Sequence, residues 1–274
     1  MCGPAARVYL KIVRSTSRRK RLRTTRAYIR PGGHITSRNR VKTYVRAFDD
    51  VLGGGIPEGY VVLVSGAPGT MKSSLTFSIL YQNALQENRK CAYFTLEQGK
   101  DLILEQMASM GMADARAAEH IVTLDMGNIR KNLNFLQGRG SWLELFKMYC
   151  KNVMKADPVS VLVVDSLDVL ETMAKMQDRR SDLYFLFEWL RDLGPLTFLI
   201  SERPLELGPG DSSPEEAYLA DGILALEMHP TSDLFVQRRL RVVKMRGTKH
   251  DTGYYAFSFE DGAFEVTRAV SGTA

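Results

Sequence analysis

The stretch GAPGTMKSS, residues 66–74, decides how this 274-residue chain is read. It follows VVLVSG (61–66), an apolar run that reads as a strand, and opens a segment whose apolar spacing predicts a helix over 72–87. A glycine-rich turn from strand into helix aims several backbone N–H groups, and the positive end of the helix dipole, at one point. Phosphate oxygens need such converging donors. Gly66, Ala67, Pro68, Gly69, Thr70, Met71, Lys72, Ser73 and Ser74 are therefore candidate phosphate-cradling residues. Lys72 adds a point charge for β and γ phosphates, and Ser73 offers a hydroxyl to Mg²⁺. The plainer reading is a tight turn with an incidental Lys-Ser pair; the strand before and the helix after weigh against it.

One position departs from the pattern GxxxxGK[ST]. The residue before the lysine is Met71, where the pattern has glycine. A non-glycine residue held left-handed costs about 1–2 kcal/mol. If all of that fell on binding, affinity would drop about 5–30-fold. The site is weakened by this, not abolished.

Outward from the loop, short apolar runs alternate with longer amphipathic ones, the mark of a parallel sheet with crossover helices. Strands are expected at 61–66, 91–97, 120–125, 161–166, 197–202 and 221–227, and helices near 72–87, 100–111, 139–155 and 179–193. VLVVDS (161–166) is apolar on both faces, as a central parallel strand should be. Beyond residue 220 the pattern changes to antiparallel strands joined by turns, with hairpin chemistry at Glu260-Asp261-Gly262. The expected fold is one α/β domain: a mostly parallel central sheet flanked by helices, with antiparallel C-terminal strands.

The net charge of +6 hides a division. Residues 1–48 carry fourteen Lys or Arg and no acid, which leaves 23 basic against 31 acidic residues in the rest, a net of −8. The chain divides into a basic arm over 1–41, too polar to fold alone, and a body over 42–274. The arm has three readings: a solvated tail or an upstream extension of the reading frame, a nucleic-acid contact through phosphates, or a targeting segment. Aromatics are sparse over residues 1–48 (Tyr9, Tyr28, Tyr44, Phe48), so base stacking is not strongly indicated. No run approaches 18 apolar residues, so no membrane span is expected. Three scattered cysteines and four scattered histidines suggest neither a disulfide framework nor a zinc site, and fit a reduced, cytoplasmic setting.

From about Lys42 to Val266 the sequence resembles a KaiC-type ATPase domain, the RecA-superfamily branch that includes the cyanobacterial clock ATPase and RadA-related proteins. AFDDVLGGGIPEGYVVLVSGAPGT (47–70) carries the resemblance: a Gly-Gly-Gly-Ile-Pro segment followed by a P-loop. The resemblance implies a RecA-like P-loop fold with ATP and Mg²⁺ as ligands. VLVVDS resembles the Walker B strand, which puts Asp165 where a carboxylate holds Mg²⁺ through water. TLEQ (95–98) resembles the family's post-strand acidic pair, with Glu97 as the group that polarises the attacking water. Gln98 replaces the second acid; an amide orients water but accepts no proton at neutral pH. KMRGTKHDTG (244–253) resembles the segment that reaches a neighbouring subunit's ATP. Lys244 and Arg246 alternate along a strand and so share a face, with His250 close by. Ser201 and Glu202, in SER (201–203), are candidate γ-phosphate sensors.

A trans role for Lys244 and Arg246 implies a homo-oligomer, a hexamer by resemblance, with the Gly-Gly-Gly segment as a flexible edge near the nucleotide. Three functions remain open. One is a slow Mg²⁺-dependent ATPase whose nucleotide state controls assembly or a protein partner in regulation or signalling. Another is an ATP-binding scaffold or transcriptional regulator without turnover, favoured by Met71 and Gln98. The third is a DNA-associated RadA-like recombinase paralogue, which would want an N-terminal DNA-binding domain or polymerisation motif that residues 1–48 do not display.

Overall fold

A computed structural model describes residues 39–133, 142–205 and 214–269. The basic arm, with its nucleic-acid and targeting readings, lies outside them save for its last three residues. Those belong to the body: β1 (Arg40–Val41) pairs antiparallel with β2 (Ile56–Pro57), and Val41 is fully buried. Between them runs the short α1 (Phe48–Val51).

The chain then alternates strands with helices. β3 (Val61–Gly66) feeds α2 (Lys72–Glu87); β4 (Cys91–Thr95) is followed by α3 (Lys100–Ser109) and α4 (Ala115–Ala118). β5 (Ile121–Asp125) leads into α5 (Met126–Leu133) and α6 (Trp142–Ala156); β6 (Val161–Asp165) leads into α7 (Leu167–Ala174) and α8 (Arg179–Leu193). β7 (Leu196–Ser201), α9 (Glu215–Leu219), β8 (Gly222–Pro230), β9 (Val236–Met245), β10 (Tyr254–Glu260) and β11 (Ala263–Arg268) complete it. Nine strands form one sheet in the order β11-β10-β9-β8-β3-β7-β6-β4-β5. Strands β8, β3, β7, β6, β4 and β5 are parallel, and β9 to β11 add antiparallel.

Strand alternation explains the apolar runs. In β3, Val62 and Val64 face the layer holding α2, while Val61 and Leu63 face the layer holding α7 and α8. A strand buried on both faces must be apolar throughout, and each such side chain contributes about 1.5–3 kcal/mol. At the far edge, Asp261 and Gly262 both take positive φ, as a two-residue hairpin turn requires.

The expected strands and helices fall within a few residues of their observed limits. The 91–97 strand stops at Thr95, because Leu96 to Gln98 turn out at the sheet edge; the 221–227 strand runs on to Pro230. Of the expected 139–155 helix, residues 139–141 lie outside the described residues. Beside the Gly-Gly-Gly segment, Arg40 donates to the carbonyls of Leu52 and Gly55, at 3.0 and 2.7 Å. Among the described residues, no helix is long and apolar enough to cross a membrane.

Candidate nucleotide site

The loop after β3 owes its path to Gly66. A Cβ there would lie 2.3 Å from the Leu226 carbonyl oxygen and 2.9 Å from Thr70 Oγ1, so no larger residue fits against β8. Thr70, fully buried, closes the turn by donating to the Ala67 carbonyl at 2.8 Å. Met71 caps α2 at φ 70°, ψ 29°, the left-handed conformation that glycine serves in the pattern. Its side chain packs against the core layer around α2, and that burial offsets part of a penalty of about 1–2 kcal/mol. Lys72 is buried, and its Nζ donates to the carbonyls of Gly66 and Ala67 at 2.8 and 3.0 Å. Desolvation holds the Lys72 pKa below the ordinary lysine value, against the carboxylates of Glu202, Asp165, Glu97 and Asp168.

The loop forms one wall of a cavity of about 340 Å³. Pro68, Gly69 and Met71 to Ser74 line it on one side; Thr95, Glu97, Gln98, Asp165 and Glu202 face them. Sheet topology makes the meeting possible. β3, β7, β6 and β4 are adjacent and parallel, so segments far apart in sequence leave the sheet at one carboxyl edge, where ligands of open α/β sheets bind.

Asp165 and Glu97 each accept a hydrogen bond from a side-chain hydroxyl. Asp165 Oδ2 accepts from the Tyr93 hydroxyl at 2.5 Å. Glu97 Oε1 accepts from Ser166 Oγ, the residue that follows Asp165. Partial burial raises the Glu97 pKa above the usual glutamate value; the Ser166 hydrogen bond opposes this, while the charges of Glu202, Asp165 and Asp168 add to it. Gln98 is exposed at the same turn, its carbonyl taking a 2.7 Å bond from Thr95 Oγ1. Ser201 is buried at the end of β7, and the Glu202 N–H donates to Asp168 Oδ2 at 2.8 Å. A serine hydroxyl and a carboxylate beside a phosphate cradle are hard oxygen donors. They suit Mg²⁺, which takes few protein ligands and keeps several waters. Ser73 and Asp165 fit that ion.

Lys244 and Arg246 lie elsewhere. A register shift in the β8–β9 pairing leaves Val243 without a partner, since Ile223 pairs with Lys244 and Leu224 with Val242. Such a bulge re-aims side chains: Val242 faces the α2 layer, whereas Lys244 reaches α9 in the other. Lys244 Nζ donates to the carbonyls of Ala217 and Tyr218 at 3.0 and 3.1 Å. Arg246 donates to the same Tyr218 carbonyl at 3.1 Å and pairs with Asp221 at 2.9 Å. The two cations do share a face. Because β9 runs antiparallel, that face is at the sheet's opposite edge: Arg246 is level with Val61, five strand residues or about 16 Å from Gly66. They cannot serve the phosphate loop of their own chain. His250 stays local, its Nδ1 2.9 Å from the Thr248 carbonyl.

The structure adds residues that the sequence reading passed over. Tyr93 read as one more apolar strand position. Asp168 holds the exit of β7 through the Glu202 N–H and a 2.8 Å ion pair with Arg203. Arg238, on β9, donates from Nε to the Gly69 carbonyl at 3.2 Å. Only strand register could have announced Tyr93 and Arg238, since both act across strands.

Fold and loop together define a RecA-like P-loop nucleotide-binding domain. A family model described as "ATPase: KaiC" matches residues 41–271, and the chain belongs to that family. It is 32% identical over 232 residues to a UPF0273 protein of Aeropyrum pernix, covering 81% of this chain and 91% of that one. It is 26% identical over 231 residues to the circadian clock oscillator protein KaiC of Synechococcus elongatus. That match takes in 83% of this chain but 44% of the clock protein, so the chain spans less than half its length. Among solved structures, a KaiC-like protein from the hyperthermophilic archaeon Pyrococcus horikoshii OT3 superposes with a TM-score of 0.66 at 26% identity, over 84% of this chain and 99% of that one.

Proposed function

We propose that the protein is a slow, Mg²⁺-dependent cytoplasmic ATPase whose nucleotide state governs its assembly with further copies of itself. The observation that carries this reading is the convergence of Lys72, Ser73, Asp165 and Glu97 on one cavity at the carboxyl edge of the sheet. Backbone N–H groups of Ala67 and of residues 69–73, with the Lys72 ammonium released from the Gly66 and Ala67 carbonyls, would hold the β and γ phosphates. Ser73 and Asp165 would hold Mg²⁺, which would neutralise phosphate charge. Glu97 takes the proton of the attacking water, its carboxylate oriented by Ser166, and its raised pKa makes it the stronger base. Gln98 orients that water without accepting a proton.

Turnover is slow for two reasons: Met71 holds the loop in a costly conformation, and Gln98 stands where the family pattern has an acid. Lys244 and Arg246 complete the site in trans, in a ring of copies, hexameric by analogy with the family resemblance. The test is ATP turnover by the wild type beside Glu97→Gln, with light scattering in ATP and Mg²⁺. Turnover lost only in the variant, and a larger species with nucleotide, support the reading. A monomer under both conditions at micromolar protein sinks the trans role. Wild type that binds ATP and never turns it over selects the scaffold reading, which the exposed Gln98 favours.

A further inference from the structure

Tyr93 stands in the middle of β4 and is fully buried, yet its side chain ends on the polar atoms of the nucleotide site. In the pairing of β4 with β6, Tyr93 lies opposite Val163, and Thr95 opposite Asp165. Residues two apart share a face, so Tyr93 and Asp165 are diagonal neighbours, a gap that a long aromatic side chain spans. Its hydroxyl donates to Asp165 Oδ2. Phe77 fixes the ring, with centroids 5.4 Å apart. Packing alone would be served by phenylalanine; the hydroxyl is what reaches the site.

We propose that Tyr93 is a positioning residue of the metal site, its hydroxyl holding the Asp165 carboxylate in the orientation that Mg²⁺ requires. The proposal rests on the nucleotide-site reading above. With Oδ2 engaged, rotation of the Asp165 carboxylate is stopped and Oδ1 is the oxygen left for metal-bound water. Tyr93 itself touches neither nucleotide nor metal. Without its hydroxyl, Asp165 regains rotamer freedom, so metal affinity falls while the phosphate cradle is untouched.

Tyr93→Phe keeps the ring and removes only the hydroxyl. In the full chain with ADP, Mn²⁺ binding followed by electron paramagnetic resonance is expected to weaken about tenfold, the effect of one lost hydrogen bond to a charged group. Binding of a fluorescent ATP analogue in EDTA stays within twofold of wild type. Unchanged or tighter Mn²⁺ binding by the folded variant overturns the proposal. In the unsubstituted protein, the carbon-13 signal of the Tyr93 ring carbon bearing oxygen shifts when Mg²⁺ joins the ADP complex; a static signal overturns it as well, whether or not the variant folds. Wild type that binds no nucleotide at all removes the site reading itself, an outcome distinct from a wild type that binds both while the variant matches it.

Discussion

The two edges of the parallel sheet are chemical opposites. At the carboxyl edge, Glu97, Asp165 and Glu202 face a loop of backbone donors around a buried lysine. At the amino edge, Lys244 and Arg246 rest on α9 carbonyls and Asp221. Under the proposed function, one edge takes a polyanion with its metal, and the other offers cations that its own chain does not bring to that anion. Half a site at each end is what a head-to-tail assembly needs, because each interface then joins one phosphate loop to one pair of cations. Lys244 pays for its place in partial desolvation: burial, then the neighbouring Arg246 charge, lower its pKa.

The sharpest way to break this comparison is to disable the edges separately. Arg246→Ala is expected to lower turnover about 10³-fold or more, as loss of an arginine finger does, with nucleotide affinity little changed. Mixing it with Lys72→Ala should restore part of the turnover, since one variant supplies an intact loop and the other an intact cation. Mixtures as inactive as their components contradict the head-to-tail arrangement. Next in size, Glu97→Gln should cut turnover about 10²–10⁴-fold while ATP still binds. Because the Glu97 pKa is raised, and the base acts deprotonated, wild-type turnover should rise with pH along an acid limb whose midpoint lies above the ordinary glutamate value. A pH–rate profile of the variant should lack that limb. Smallest is Met71→Gly, which relieves the left-handed strain and should tighten ATP binding about 5–30-fold at most; calorimetry showing weaker binding would mean that the side-chain packing outweighs the strain.

The carboxyl edge was largely legible in the sequence and the amino edge only partly so. A phosphate loop is contiguous, so residues 66–74 display it whole, and even the left-handed Met71 follows from its place in the pattern. Asp165 and Glu97 were legible through the resemblance of VLVVDS and TLEQ to the family's Walker B strand and post-strand acidic pair. Tyr93 was not, because its meaning depends on which strand lies beside β4 and in what register. The shared face of Lys244 and Arg246 follows from alternation, but the bulge that turns it toward α9 has no signature in RRLRVVKMR.

The most direct test of the account is equilibrium binding of a fluorescent ATP analogue to wild type and to Lys72→Ala. The account predicts saturable binding by wild type, weakened about 10–100-fold when the buried ammonium is lost. Equal affinity in the two proteins would contradict it, because the loop would then not be the place where phosphate is held.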